Sequence, residues 1–454
     1  MTEMSLYTPE LPARPATELP FADFLRAVRT NALGMWPQAA YEQDVLERRI
    51  PGRTQFLLNA PDAVHHVLVS NPGNYRRSRA SVRILRPITG NGLLLSEGEE
   101  WRHQRRTIAP TLAPRMIPML CGHIAGAAQA GIARLAERPG PVDLLAEMQF
   151  LALEIAGRSM FSMQMDAYGS EMRAQMQRFA MRHAQPHLLD MLLPVWMPSP
   201  RDFGRALFRR RWMGLMARIV AARIEAVHEG APRDLFDALM AARDPETGTA
   251  FSRTELRDQV ATMILAGHET TATTLFWSLT LLAAVPEEQQ RVAEEVHGVD
   301  LSPAGAADSL KHLARTRAVV SEALRLYPPA FVIVREAIGA DRCGDLVIPA
   351  GSVVMISPWV LHRHRRLWPS PDSFDPRRFL PDAPPPPRFA YLPFGAGPRI
   401  CVGAQFAMAE ATLVLARMIQ AFQIERTDKR PVLPVAIVTT QPDHPPSFRL
   451  QRRH

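Results

Sequence analysis

Cys401 stands in the stretch FGAGPRICVG, Phe394 to Gly403, with Gly395 and Gly397 before it, Arg399 two residues ahead and Gly403 two behind. The run that follows, AQFAMAEATLVLARMIQAF, has the spacing of a long helix. A thiol at a helix mouth has its thiolate stabilised by the helix dipole and by free backbone amides. The glycines let the backbone approach something large and flat, or aim amides at the sulfur. One cysteine cannot build a structural zinc site, but it can supply the one protein ligand that a haem iron needs. The bland alternative is a small buried cysteine beside a turn.

Four other stretches carry possible chemistry. In AGHETT, Ala266 to Thr271, a small pair clears one helix face, and an acid, Glu269, stands beside an alcohol, Thr270. Such a pair can deliver protons; it can equally mark a kink in a core helix whose threonines bond back to carbonyls. In SEALRLYPP, Glu322 and Arg325 are spaced i, i+3 and can pair, as a surface ion pair worth little unless buried. PDSFDPRRF places Arg377 and Arg378 after a turn, and EGEEWRHQRR sets Trp101 and Arg105 one helical turn apart.

Long helices must position most of these residues. Spacing predicts helices over WRHQRRTIAPTL, SEMRAQMQRFAMRHA, RRRWMGLMARIVAARIEAVHEG, LRDQVATMILAGHETTATTLFWSLTLLAAV, PEEQQRVAEEVHG and LKHLARTRAVVSEALRLYP. TQFLLNAPDAVHHVLVS opens with a strand signal, and DLVIPAGSVVMIS reads as a hairpin turning at Pro349, Ala350 and Gly351. The expected fold is mainly α with a minor β part, one domain over residues 1–454, with 1–20 a poorly ordered N-terminal segment.

Composition excludes several classes. At 454 residues with 47% hydrophobic content, the chain can bury a large core and is not disordered. Three cysteines far apart, Cys121, Cys343 and Cys401, give no disulfide framework and point to a reducing compartment. The net charge of +8 comes almost entirely from arginine, spread among acids without a nucleic-acid motif. The N-terminus lacks a signal-peptide pattern, and the longest apolar run noted, Leu275 to Val285, is too short to span a bilayer. A soluble cytoplasmic monomer that binds neither nucleic acid nor membrane is expected.

Together, in order, these motifs resemble the cytochrome P-450 family of haem-thiolate monooxygenases, from about Trp101 to the C-terminus. Phe394, Gly397, Arg399, Cys401 and Gly403 match its cysteine signature. Glu322 and Arg325 match its Glu-x-x-Arg helix, Phe374, Pro376, Arg378 and Phe379 its aromatic-Pro-Arg-Phe turn, and Ala266, Gly267, Glu269, Thr270 and Thr271 its oxygen-binding helix.

The resemblance implies a P-450 fold with haem b between the oxygen-binding helix and the cysteine-loop helix, and O2 as co-substrate. Cys401 would be the proximal iron ligand, Phe394 would lie against the haem, and Gly395 and Ala266 would border it. Arg399, Arg105 and Arg335 would pair with the propionates, with Trp101 donating its indole N–H; His103, one turn from Arg106, would be a further candidate there or would instead face solvent. Glu322, Arg325 and Arg378 would form a buried charged network behind the loop. Glu269 and Thr270 would relay protons to dioxygen, while His268, in the motif's variable place, would be a packed residue. Ala266, Ala330, Phe331, Val332 and Val438 would wall an apolar substrate pocket. Arg79, Arg83 and Arg86 are the only hint of an anionic substrate group, against their reading as solvated loop arginines.

The implied activity is insertion of one oxygen atom of O2 into a hydrophobic small molecule, using two electrons from a separate ferredoxin or flavodoxin with its reductase, because no fused reductase domain is read at the C-terminal end. The alternatives are a peroxide-driven or isomerising haem-thiolate enzyme, which the Glu269–Thr270 pair argues against, and a non-catalytic haem sensor or carrier. Arg102, Arg106, Arg365 and Arg366 are the expected basic docking face for an acidic electron donor.

Overall fold

The computed structural model describes residues 6–50, 52–162, 168–226 and 230–453. In chain order the elements used below are strands β1 (Val45–Ile50), β2 (Arg53–Leu58) and β3 (Tyr75–Arg77), then helices α1 (Arg79–Thr89), α2 (Gly98–Ile108), α3 (Ile117–Ala136), α4 (Leu144–Phe161), α5 (Gly169–Arg182) and α6 (Pro200–Glu225). Helices α7 (Arg253–Ala284) and α8 (Ala314–Leu326), strands β4 (Ile333–Ala337) and β5 (Val353–Ile356), and helix α9 (Ala404–Ala421) complete the set.

The fold is mainly α with a minor β part. Helix α7 is its axis. Ser252 and Glu255 cap its start reciprocally, each side chain bonding the other's backbone N–H. Its 32 residues are apolar around most of the circumference, as a helix buried on several sides must be. It packs against α4, α6, α8 and α9. Several of its threonines and its serine satisfy their hydroxyls by bonding back one turn, as Thr274 does to the Thr270 carbonyl at 2.8 Å and Ser278 to the Thr274 carbonyl at 2.8 Å.

One sheet runs in the order β1-β2-β5-β4-β3, with β2 and β5 parallel and the other pairs antiparallel. The hairpin expected at Pro349–Gly351 is not formed as such. Both strands exist and Gly351 takes the positive φ of a turn, but Leu346–Ile348 pairs with Asp341–Cys343 while β5 joins the larger sheet. Alternation within each strand satisfies a different partner, which single-strand patterning does not reveal.

The N-terminal segment, expected to be poorly ordered, is tied down over its described part. Arg14 pairs with Asp372 at 2.6 Å and lies over the Tyr41 ring at 4.0 Å, and the Tyr7 carbonyl accepts from the Phe374 amide at 2.8 Å. Among the described residues one helical stretch, Pro114–Ala136, is long and apolar enough to cross a membrane, which corrects the expectation that no run reaches that length. It packs against α4 and α9 and puts Leu120, Cys121, Ile124 and Ala128 into the core.

Candidate active site

The cysteine loop closes on itself before α9 begins. The Cys401 amide donates to the Phe394 carbonyl at 2.9 Å, and the Ile400 amide to the Gly397 carbonyl at 3.0 Å. Gly397 has φ +70°, and a Cβ there would fall 1.9 Å from the Leu68 carbonyl oxygen, so the position admits only glycine. Pro398 and Ile400 of the loop are exposed, and Cys401 lines a cavity of about 740 Å³. Burial raises the thiol pKa, while the Gly403 amide and the nearby Arg105 guanidinium pull it back towards the thiolate.

The same cavity is bordered by Trp101, Arg105, Phe394, Gly395, Arg399 and Arg335, and also by Arg77. The Arg399 guanidinium lies 4.5 Å over the Trp101 ring and pairs with Glu97, and Arg105 donates to the Ile400 carbonyl at 2.8 Å. Among the described residues Arg335 donates only to the Val334 carbonyl, at 3.0 Å, and the buried Nε of Arg77 has no partner. Burial, then repulsion from Arg335 and Arg399, lowers Arg77 to about 9; burial, then Arg399, lowers Arg335 to about 10. Arg77, Arg105, Arg335 and Arg399 thus border one part of the cavity, with Glu97 paired to Arg399 behind it. Haem b carries two carboxylates, and its iron accepts one soft axial thiolate. The cationic wall and the accessible Cys401 sulfur fit both requirements. Sequence reasoning missed Arg77, which stands cross-strand from Arg335 in the β3–β4 pair; only the register brings it there.

Behind the loop, Arg325 donates to both carboxylate oxygens of Glu322, at 2.6 and 2.7 Å, and to the carbonyls of His362, Pro371 and Ser373. Arg378 lies 3.6 Å from Glu322, and the Asp375 amide donates to the same carboxylate at 2.9 Å. Glu322 and Arg325 are fully buried, so removing one partner would strand a charge at a cost of about 3–5 kcal/mol.

The cavity is also lined by Ala266, Gly267, Glu269 and Thr270 of α7 and by Ala330, Phe331, Val332 and Val438. Glu269 accepts from the Thr439 hydroxyl at 3.0 Å and from the Gln441 amide; burial raises its pKa against these bonds. The Thr270 hydroxyl donates to the Ala266 carbonyl, and Thr270 lines the cavity. One more acid borders this space. Glu410 of α9 is buried, is bonded by the Thr271 hydroxyl at 3.3 Å, and is raised to about 8 by burial. Its only sequence signal is a lone acid in an otherwise apolar run.

Several expectations change. Arg83 is not a solvated loop arginine: it is buried and donates to Asp202 at 2.6 Å and to the Pro194 and Met197 carbonyls. Arg79 pairs with Glu336 at 3.0 Å, while Arg86 is exposed. His103 does not simply face solvent; it meets Asp244 at 2.9 Å, beside Arg106. His268 is buried, bonds the Gln149 carbonyl at 2.9 Å and is lowered to about 4 by burial, as a packed residue would be. The expected docking arginines are neutralised in place: Arg102 by Glu99, Arg106 by Asp244 and Glu246, Arg365 by Glu42 and Arg366 by Asp44. Paired charges give a weaker steering field than a run of free ones.

A cysteine on a glycine-built loop, lining a cavity that arginines and a threonine-bearing helix also line, fits a haem-thiolate site. The family model for cytochrome P450 matches residues 37–446, and the chain belongs to that family. Among curated relatives, cyclooctatin synthase of Streptomyces melanosporofaciens is 36% identical, the match covering 82% of this chain and 81% of that protein. Cyclooctat-9-en-7-ol 5-monooxygenase of the same organism is 33% identical over 84% and 82%. The crystal structure of the cytochrome P450DA heme domain superposes with a TM-score of 0.80 at 24% identity, covering 99% of this chain and 98% of that one. The protein is a cytochrome P450 monooxygenase with haem b as cofactor and O2 as co-substrate.

Proposed function

We propose that the protein hydroxylates a bulky, largely hydrocarbon molecule held between α7 and the 330–332 segment, with electrons from a separate ferredoxin or flavodoxin. The observation that carries the substrate class is the cavity wall itself: Ile84, Leu85, Met263, Phe331, Val332 and Val438 offer apolar surface beside Glu269 and Thr270. The name of the cyclooctat-9-en-7-ol 5-monooxygenase relative supports a cyclic hydrocarbon skeleton as the first class to try.

When bound, the haem supplies activation of dioxygen at an iron ligated by thiolate. This chain's own residues do the rest. Arg77, Arg105, Arg335 and Arg399 would fix the cofactor's carboxylates, with Trp101 braced under Arg399. The Gly403 amide and Arg105 favour the charged form of Cys401. Burial shifts Glu269 towards its protonated form, so its carboxyl would be the proton source beside Thr270 on the cavity wall. Glu322, Arg325 and Arg378 keep the loop in register.

Thr270→Ala tests the proton path. With a ligand that shifts the ferric iron to high spin, the variant should still consume reductant but lose most of its product to peroxide. Unchanged product per reductant consumed would assign Thr270 to helix geometry alone. A panel of cyclic hydrocarbons and alcohols in which none shifts the spin state would reject the substrate class.

A further inference from the structure

A second cation surplus sits at another edge of the same cavity. Glu336 of β4 is buried, and one of its oxygens is shared by three arginines: Arg53 at 3.0 Å, Arg79 at 3.0 Å and Arg76 at 3.5 Å. Arg53 follows the β1–β2 turn, Arg76 lies cross-strand from Glu336, and Arg79 opens α1, so three separate elements converge on one carboxylate. Three cations against one anion leave two positive charges uncompensated. Among the described residues these arginines make ion pairs with Glu336 alone, and each guanidinium carries five donors, so most of their N–H groups are open.

The arginines remain reachable, with side chains 19, 28 and 46% exposed for Arg53, Arg79 and Arg76. Arg53, Arg79 and Glu336 line the cavity together with Gln55 and Ser78. Gln55 is 94% buried, being 6% exposed, and its Oε1 has no partner. Its other amide atom rests on the Met355 sulfur, an arrangement that a turn of the amide would exchange for an N–H directed at a ligand. Glu336 aligns the guanidinium groups from the sheet side. An anion entering from the cavity would meet Arg53 and Arg79, whose guanidinium groups can offer carboxylate or phosphate bidentate bonds.

We propose that Arg53 and Arg79, aligned by Glu336 and backed by the charge of Arg76 outside the cavity lining, form an anion subsite that takes the carboxylate or phosphate end of an otherwise apolar substrate. The subsite rests on the reading of the cavity as a substrate pocket and adds a charged end to the substrate class. Its position also separates it from the Arg77–Arg335–Arg399 group. Arg335 and Glu336 are successive residues of one strand and point to opposite faces.

The test uses the haem-loaded protein and three probes of equal chain length: decanoate, decyl phosphate and decanol. Binding is read by calorimetry and by the spin-state shift. One or both anions should bind at least about tenfold more tightly than decanol, and that advantage should shrink severalfold as salt rises from low to physiological strength. The better anion tells carboxylate from phosphate. Arg79→Gln and Arg53→Gln should each erase most of the advantage while leaving decanol affinity unchanged. Should either variant fail to fold, the other decides, and the salt dependence is read on the unmodified protein. Equal binding of anions and decanol, or an anion advantage that survives both substitutions, overturns the subsite. In that case a spin shift with decanol leaves the apolar pocket standing. A spin shift with none of the three overturns the subsite and the pocket reading together.

Discussion

Replacing Glu410 by Gln should flatten the protein's pH dependence of stability between about pH 5 and pH 8. Glu410 is 2% exposed and, among the described residues, has Thr271 as its one side-chain partner. Burial raises its pKa from 4.5 to about 8 in the folded protein. The folded state therefore binds a proton that the unfolded state releases. The resulting contribution is full below pH 4.5, where both states are protonated, and is lost as pH rises towards 8. Each pKa unit corresponds to about 1.4 kcal/mol, so the loss by pH 8 is on the order of 4 kcal/mol. Gln keeps the volume and can still accept from Thr271, but it cannot ionise. The variant should match the parent near pH 5 and exceed it progressively above pH 6. For a chain of this length a kilocalorie moves Tm by roughly 1 °C, so the difference should reach a few degrees at pH 8. Thermal melts of both haem-loaded proteins at pH 5, 6.5 and 8 measure it. A difference in Tm that stays constant across the three values would show that the carboxyl is not held neutral, and the burial argument would fail.

Two further substitutions probe the cysteine loop. Gly397→Ala places a Cβ 1.9 Å from the Leu68 carbonyl at a positive φ; the backbone conformation alone costs about 1–2 kcal/mol, so weaker haem retention in a dialysis assay and a lower Tm are expected. Cys401→Ser should abolish the thiolate-type ferrous-CO spectrum while some haem stays bound through the arginine wall, because a hydroxyl is a poor soft donor; an unchanged spectrum would move the ligand assignment to Cys121 or Cys343.

Much of this site could be read from the chain because its geometry is local. The loop from Phe394 to Gly403 holds its glycines, its cysteine and the helix mouth within ten residues, and the i, i+3 spacing of Glu322 and Arg325 already brings them together. What sequence order hides is pairing across elements. Arg77 reaches the cationic wall only because β3 aligns with β4, and Arg83 is buried because the 194–202 segment folds over it. Asp244 gathers His103 and Arg106 from a distance of more than 130 residues, which no spacing rule anticipates. The hairpin expected at Gly351 shows the same limit: the turn was legible, the partners of its strands were not.

The β3–β4 pair gives this limit a functional form. A two-residue repeat is the only constraint a strand imposes on which face a side chain takes. On this pair that constraint puts Arg77 opposite Arg335 and Arg76 opposite Glu336. The first register position gathers like charges, which persist in a buried setting only if an anion comes to them. The second gathers opposite charges in unequal number once Arg53 and Arg79 arrive from β2 and α1. A shift of one residue in register would exchange the two faces, placing Glu336 among the cations of the cofactor wall and Arg335 against Arg53 and Arg79. The strand register, rather than any single arginine, therefore decides which part of the cavity attracts the cofactor's carboxylates and which part is free to select a ligand.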